Sequence, residues 1–229
     1  MTAIGTFKPR MDILPAPQRW LWPELRPVMA LGFVLYGGTA VALRLGHRSS
    51  VDFDFFSEKT FDLDRLQEAI PFVATSTVLQ NRLNTSTVQV SFEGTDGGVV
   101  KISFFGSIDF GRVGNPKFTE DGVLQVASLE DLMATKLKVI QQRAEAKDYR
   151  DIAAMLFAGK DLSAGLASAR SMFGTAFQPS ESLRALCYFK DGDLETLKKA
   201  EIRVILEAAS KVRDLPVVKV LDRRLGCFG

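Results

Sequence analysis

Residues 32–56, GFVLYGGTAVALRLGHRSSVDFDFF, constrain this chain more than any other stretch. The apolar run at 32–36 reads as a short buried strand, and Gly37-Gly38 as the tight turn that ends it. Thr39 can cap a following helix, residues 40–45 are good helix formers, and Gly46 takes the usual position just past a helix end. His47-Arg48-Ser49-Ser50 is a polar loop. Residues 51–56, VDFDFF, alternate strictly and predict a second strand, with Val51, Phe53 and Phe55 on its core-facing side. A strand, a glycine turn, a helix and a strand in immediate succession commit this half of the chain to a sheet covered by helices.

The flanking sequence extends that pattern. Residues 1–27 are punctuated by Pro15, Pro17, Pro23 and Pro27, which predicts an irregular arm with one short helical turn, Trp20 and Trp22 packing on the body. Residues 61–70 read as a helix stopped by Pro71. Two β-type runs follow at 87–92 and 99–105, and Thr95-Asp96-Gly97-Gly98 between them is a hairpin turn signal. Residues 106–122 read as a long Gly/Pro-containing loop and 124–127 as a short strand. From Ser128, with Asp131 three residues on as a helix start, helical patterns take over at 129–145, 148–158, 161–172, 180–189 and 193–212. The expected fold class is α+β (α/β): a mixed sheet flanked by helices over residues 1–125, then a helical domain over 126–229 that closes a cleft.

Composition narrows the function classes. With 46% hydrophobic and 24% charged residues, the chain is neither disordered nor fibrous. Lys+Arg number 29 and Asp+Glu 27, a net +2 that rules out a strongly basic nucleic-acid coat. The two cysteines, Cys187 and Cys227, lack metal-ligand spacing. A reducing cytosol is expected, with Cys187 in the core and Cys227 a terminal thiol. The N-terminus has no continuous apolar run of the signal-peptide kind, and no segment reaches the roughly 18–20 apolar residues of a membrane span. The expected location is cytoplasmic, without a membrane partner. His47 is the only histidine. A Ser-His-Asp triad or a zinc histidine cluster is therefore hard to build. The basic residues Lys198, Lys199, Arg203, Lys211 and Arg213 alternate with Glu195, Glu201 and Glu207, the pattern of a solvated helix face.

The candidate chemistry centres on Asp52-x-Asp54. Residues i and i+2 of a strand share a face, about 6.6 Å apart at roughly 3.3 Å per residue. Two carboxylates so placed repel each other, and a hard divalent cation such as Mg²⁺ relieves the repulsion. Upstream, Gly37 and Gly38 let a phosphate approach the backbone, Thr39 adds a hydroxyl, and the helix start offers free N–H donors. Arg48 and Ser50, just before the acids, can add a cation and a donor. Together these make a phosphate cradle beside a metal site.

This order of motifs resembles the nucleotidyltransferase superfamily. More narrowly, GGTAVALRLGHRSSVDFDFF at 37–56 is similar to the AbiEii/AbiGii toxin family. A later helical signature of that family is matched by Lys136, Arg143, Lys147-Asp148 and Asp151-Ile152 in KLKVIQQRAEAKDYRDI. The resemblance spans roughly residues 30–160 and implies a nucleotidyltransferase-like fold. It also implies Mg²⁺-dependent transfer of a nucleoside monophosphate from an NTP to an acceptor hydroxyl. In several members the acceptor is a tRNA end and the protein is a toxin paired with an antitoxin. A fold that has lost catalysis and acts as a binding module, or an enzyme acting on a small molecule, are the alternatives.

The second motif has its own physical reading. At about 100° per residue, Lys136 and Arg143 fall within the apolar stripe carrying Leu129, Leu132, Met133 and Ile140. A cation there either snorkels or faces the cleft, where Lys136 would meet the triphosphate. Asp148 either caps the helix at 148–158 or orients that lysine, or serves near the acceptor as a base. One feature departs from the superfamily. The strand at 99–105 offers Lys101 and Ser103 where many members place a third carboxylate.

Overall fold

A computed structural model describes residues 5–93 and 97–227, and the chain divides into two compact units. The first comprises residues 1–111, 115–127 and 223–229; the second comprises 112–114 and 128–222. Thr95 and Asp96 of the expected hairpin turn lie outside the described residues.

In the first unit, β1 (Thr6–Phe7) is followed by short helices α1 (Ala16–Leu21) and α2 (Arg26–Ala30). Next come β2 (Val34–Tyr36), α3 (Gly37–Leu45) and β3 (Asp52–Phe56). Then follow α4 (Leu63–Ala69), α5 (Pro71–Ala74), β4 (Thr77–Arg82), β5 (Thr85–Phe92), β6 (Gly98–Phe105), β7 (Lys117–Thr119) and β8 (Gln125–Val126). The eight strands form one mixed sheet in the order β1-β7-β8-β2-β3-β6-β5-β4. β2 and β3 are antiparallel, and β3 runs parallel to β6 with Asp52 opposite Lys101 and Asp54 opposite Ser103.

Alternation along the central strands sorts the two faces. Phe53, Phe55, Val88, Val100, Ile102 and Phe104 are fully buried on one. There Phe55 stacks on Phe104 at 5.6 Å and Phe33 meets Phe104 edge-on at 5.3 Å. Each such phenylalanine contributes about 1.5–3 kcal/mol through burial. Asp52, Asp54 and Lys101 occupy the opposite face and reach solvent. Val51 does not join the core as expected. It precedes β3 and is 51% exposed, and its carbonyl accepts from Gln18 Nε2 at 2.7 Å.

The arm is more ordered than its prolines predict, because Pro17, Pro23 and Pro27 sit in first turns, where a missing N–H costs nothing. Trp22 is buried against Phe53 and its indole N–H donates to Asp121 at 2.7 Å; Trp20 is about half exposed beside Phe92. Strand β4 was not anticipated: all six of its residues are exposed, so it carries no alternation to read. β7 likewise lies within the stretch expected to be loop.

The second unit contains α6 (Leu129–Val139), α7 (Ala146–Phe157), α8 (Leu162–Phe173), α9 (Pro179–Leu186) and α10 (Lys199–Lys211). Ser128 caps α6 by accepting from the Asp131 N–H, as its spacing predicts. α6 passes close to α8 at Gly165, where a Cβ would come within 2.6 Å of Met133 Cγ. Two helices fall well short of the span that the periodicity suggests. α6 stops at Val139 because Gln141 turns to donate to the Gln178 carbonyl and Ser182 Oγ. The helix expected from 193 is split into a short 3-10 helix at Leu194–Thr196 and α10 from Lys199, while the Asp193 side chain accepts from the Ala146 N–H at 2.6 Å. Cys187 is exposed just past α9 rather than in the core. Among the described residues no helix is long and apolar enough to cross a membrane.

Candidate active site

β2 and β3 are joined by α3, so the glycine turn leaving β2 falls beside the acidic strand. Tyr36 ends β2 opposite Asp54 in the antiparallel register. Gly37 then turns with φ +70°, a conformation that disfavours any side chain. A Cβ on Gly37 would lie 2.4 Å from Asp54 Oδ2. The Asp54 carboxylate therefore abuts the backbone at the start of α3, in room that only glycine leaves. Gly38 follows in the first turn.

Asp52 and Asp54 point to the same side of β3 while Phe53 and Phe55 point to the core. Lys101 Nζ lies 3.6 Å from Asp52 Oδ2, both side chains remaining well exposed. Sequence spacing gave no sign of this pair, because Lys101 arrives from the parallel neighbour β6. Two adjacent carboxylates with a glycine turn at their edge fit a hard divalent cation such as Mg²⁺. Water and phosphate oxygens would complete its shell. Among the described residues no three His, Cys, Asp or Glu side chains group as a metal site. The place of a third acid opposite Asp54 is taken by Ser103, which is 5% exposed.

Thr39 and Ser50 are buried and face one another. The Thr39 hydroxyl donates to the Asp52 carbonyl and lies 2.8 Å from Ser50 Oγ. These groups tie α3 to the start of β3. The Arg48 guanidinium donates to the Ser49 carbonyl at 3.0 Å within the same loop. Arg44, which spacing did not single out, reaches the Val126 carbonyl at 2.8 Å and stacks over Phe7 at 4.6 Å, fixing the far end of α3.

In the second unit Lys136 does not snorkel. It is 5% exposed, and its Nζ lies 2.6 Å from both Asp148 Oδ1 and Asp151 Oδ2, themselves fully buried. Arg143 Nε donates to Asp148 Oδ2 at 2.9 Å. Asp148 is thus no helix cap but the link between two cations. Asp151, three residues on along α7, completes the set. Its spacing from Asp148 was the available signal, since i and i+3 share a helix face. Two of the three lysine donors are taken by carboxylates.

Comparison with known proteins gives this geometry a family. The model described as "Nucleotidyl transferase AbiEii toxin, Type IV TA system" matches residues 25–216. The chain belongs to the AbiEii nucleotidyltransferase toxin family. Among solved structures of similar fold is a protein of H. pylori provisionally assigned as a nucleotidyltransferase. It is 20% identical with TM-score 0.52 over 85% of this chain and 91% of that one. Another is the nucleotidyltransferase toxin MenT4 (Rv2826c) of Mycobacterium tuberculosis H37Rv, 16% identical with TM-score 0.51 over 83% and 82%. The uncharacterized protein aq_aa25 of Aquifex aeolicus (strain VF5) is 34% identical over 134 residues, covering 56% of this chain and 61% of that protein. The chain thus spans less than two thirds of the length of this relative. The mixed sheet with flanking helices is the one expected for a member of this family. Toxins of this family work in general with NTPs and a cognate antitoxin.

Proposed function

We propose that this AbiEii protein transfers a nucleoside monophosphate from an NTP to an acceptor hydroxyl, with Mg²⁺ held by Asp52 and Asp54. The observation that carries the reading is the Asp54 carboxylate lying against the Gly37 backbone, so that cation and phosphate ligands share one edge. Bound there, Mg²⁺ would counter the negative charge of the phosphates. Gly37 and Gly38 admit a phosphate to the free N–H groups of α3. Thr39 and Ser50 act by holding those N–H groups in register with Asp52. Arg48 is the loop's cation for the same phosphates. In the reaction the acceptor oxygen bonds to the α-phosphorus and the bond from that phosphorus to the α–β bridging oxygen breaks. Pyrophosphate leaves with the bridging oxygen, and the acceptor proton passes to solvent. Within the helical unit, Asp148 orients Lys136 rather than serving as a base, and with Asp151 and Arg143 the two form one charge-balanced cluster.

A tRNA end is one acceptor that fits, a cognate antitoxin the expected partner, and the cytoplasm the expected site of action. The test is calorimetry of NTP with Mg²⁺, and transfer of label from each NTP into total RNA and into small hydroxyl compounds. The D52N/D54N variant is expected to lose metal-dependent NTP binding and transfer. Unchanged binding in that variant rejects the assignment. Binding without transfer to any acceptor identifies instead a nucleotide-binding module, the reading favoured by Ser103 in place of an acid.

A further inference from the structure

Lys101 is the cation that β6 brings beside the acidic pair. It stands opposite Asp52 in the parallel register, while Ser103 stands opposite Asp54. Its strand neighbours Val100 and Ile102 are fully buried, so they, and not the ammonium, hold β6 in place. The ammonium lies 3.6 Å from Asp52 Oδ2, too far for a hydrogen bond, and the two side chains are 47% and 38% exposed. An exposed pair at that separation is weak and changes partner readily. Strands β4, β5 and β6, TVLQNR, TSTVQVSF and GVVKISFF, contain no carboxylate, in a chain with 27 Asp and Glu. Their other cation, Arg82, sits two strands away on the edge, in the row of Phe105. Among the described residues the one carboxylate paired with Lys101 is that of Asp52.

Resting on the reading above, we infer that Lys101 is a triphosphate ligand. In the ligand-free protein its ammonium pairs with Asp52; with Mg²⁺ on the two carboxylates it passes to the β- and γ-phosphates of the NTP. Charge selects this role. Two carboxylates and one Mg²⁺ cancel, whereas the phosphates of the nucleotide are strongly anionic and the departing pyrophosphate keeps that charge. Two-metal sites meet it with a second divalent ion. Here Ser103, 5% exposed and uncharged, fills the place from which a third carboxylate would hold one. Lys101, two residues before it on the same face of β6, supplies positive charge instead. A lysine suits the task, because its compact charge rides on a flexible stem that can move between a carboxylate and a phosphate.

The test looks for two effects of opposite sign. Calorimetry follows Mg²⁺ alone, then an NTP in excess Mg²⁺, then the matching nucleoside monophosphate, in the parent and in Lys101→Met. Lys101 is exposed, so the variant is expected to keep the circular dichroism of the parent. With no ammonium competing for Asp52, Mg²⁺ alone is expected to bind about two- to fivefold more tightly. NTP·Mg²⁺ is expected to bind about tenfold more weakly, the loss of one charge-assisted contact. The monophosphate, which lacks the phosphates that Lys101 meets, is expected to bind as in the parent. Lys101→Arg keeps the charge and is expected to restore most of the NTP·Mg²⁺ affinity. Weaker binding of Mg²⁺ alone and of NTP·Mg²⁺ together would make Lys101 a structural residue and overturn the inference. So would an equal loss in Lys101→Arg and Lys101→Met. The D52N/D54N variant separates this inference from the reading beneath it. If that variant loses NTP·Mg²⁺ binding while Lys101→Met binds every ligand like the parent, the role of Lys101 fails alone. If D52N/D54N binds NTP·Mg²⁺ like the parent, the acidic pair is not the site and both fall.

Discussion

Replacing Lys136 by methionine should destabilise the helical unit strongly, and the cost can be worked from its surroundings. Lys136 is the cation shared by Asp148 and Asp151, both fully buried and 2.6 Å from its Nζ. Methionine nearly matches the lysine stem in shape, so packing changes little and the electrostatic loss dominates. Removing one partner of a buried ion pair costs about 3–5 kcal/mol, because the remaining charge stays out of water. Arg143 still serves Asp148, which argues for the lower half of that range. With a urea m-value of about 2 kcal/mol per molar, a cost of about 3.5 kcal/mol lowers the midpoint by about 1.7 M. The assay is urea unfolding followed by the helix signal in circular dichroism, since both tryptophans lie in the sheet unit and are poor reporters here. A change below about 1 kcal/mol would mean the pair contributes nothing net, and the reasoning fails.

Three further perturbations follow from the same kind of accounting. Burial pushes the Asp131 carboxyl up to about 6 from 3.8, despite bonds from Ser128 and the Val113 and Gly114 N–H groups. The native state therefore holds the proton more tightly than the unfolded chain. Stability should fall by about 3 kcal/mol as pH rises from about 4 to 6 and then level off. Asp131→Asn, whose amide can keep those partners, should flatten the urea-unfolding profile over that window; an unaltered slope would clear Asp131 of the effect. Gly37→Ala places a methyl against Asp54 and should cut NTP·Mg²⁺ binding at least tenfold by calorimetry. Gly122→Ala, with φ +66° and nothing within 4 Å, pays a similar backbone cost of about 1–2 kcal/mol and should bind normally. Ser103→Asp adds a nearly buried carboxylate opposite Asp54, which should lower the melting temperature without Mg²⁺ and recover it with Mg²⁺. Equal losses with and without the ion would show that the two positions do not share a cation.

What was legible in the sequence was what repeats along a single element. The run GGTAVALRLG supplied its own turn, helix and stop, and Gly46 indeed closes α3 in the left-handed conformation, its N–H bonded to Ala42. The alternation at 52–56 fixed which side of β3 carries acid and which carries phenylalanine. Where local pattern failed, a tertiary bond had overridden it. The run at 193–198 gives a 3-10 helix at Leu194–Thr196 while the Asp193 side chain caps α7, and Gln141 just past α6 reaches for α9. The exposed strand β4 exists because β5 offers it a ladder, a partner's property that its own residues do not display.

The site divides along the same line. Asp52 and Asp54 belong to one strand, so a spacing of two was enough to put them on one face. Lys136 could be placed on the apolar stripe of its helix, but the choice between snorkelling and pairing depended on what α7 brings to it. A loop of irregular path separates Lys136 from Asp148, and no periodicity crosses such a loop. Lys101 reaches Asp52, and Arg82 joins the row of Phe105, through ladder registers rather than through spacing. Basic and aromatic residues do not interleave along the chain at 77–105; Arg82 and Phe105 share a row only across the strands, perpendicular to the chain. The absence of acid from those strands is nevertheless written in the one-dimensional sequence. It becomes an argument about charge only when the sheet order lines the strands up beside the one strand that carries two carboxylates.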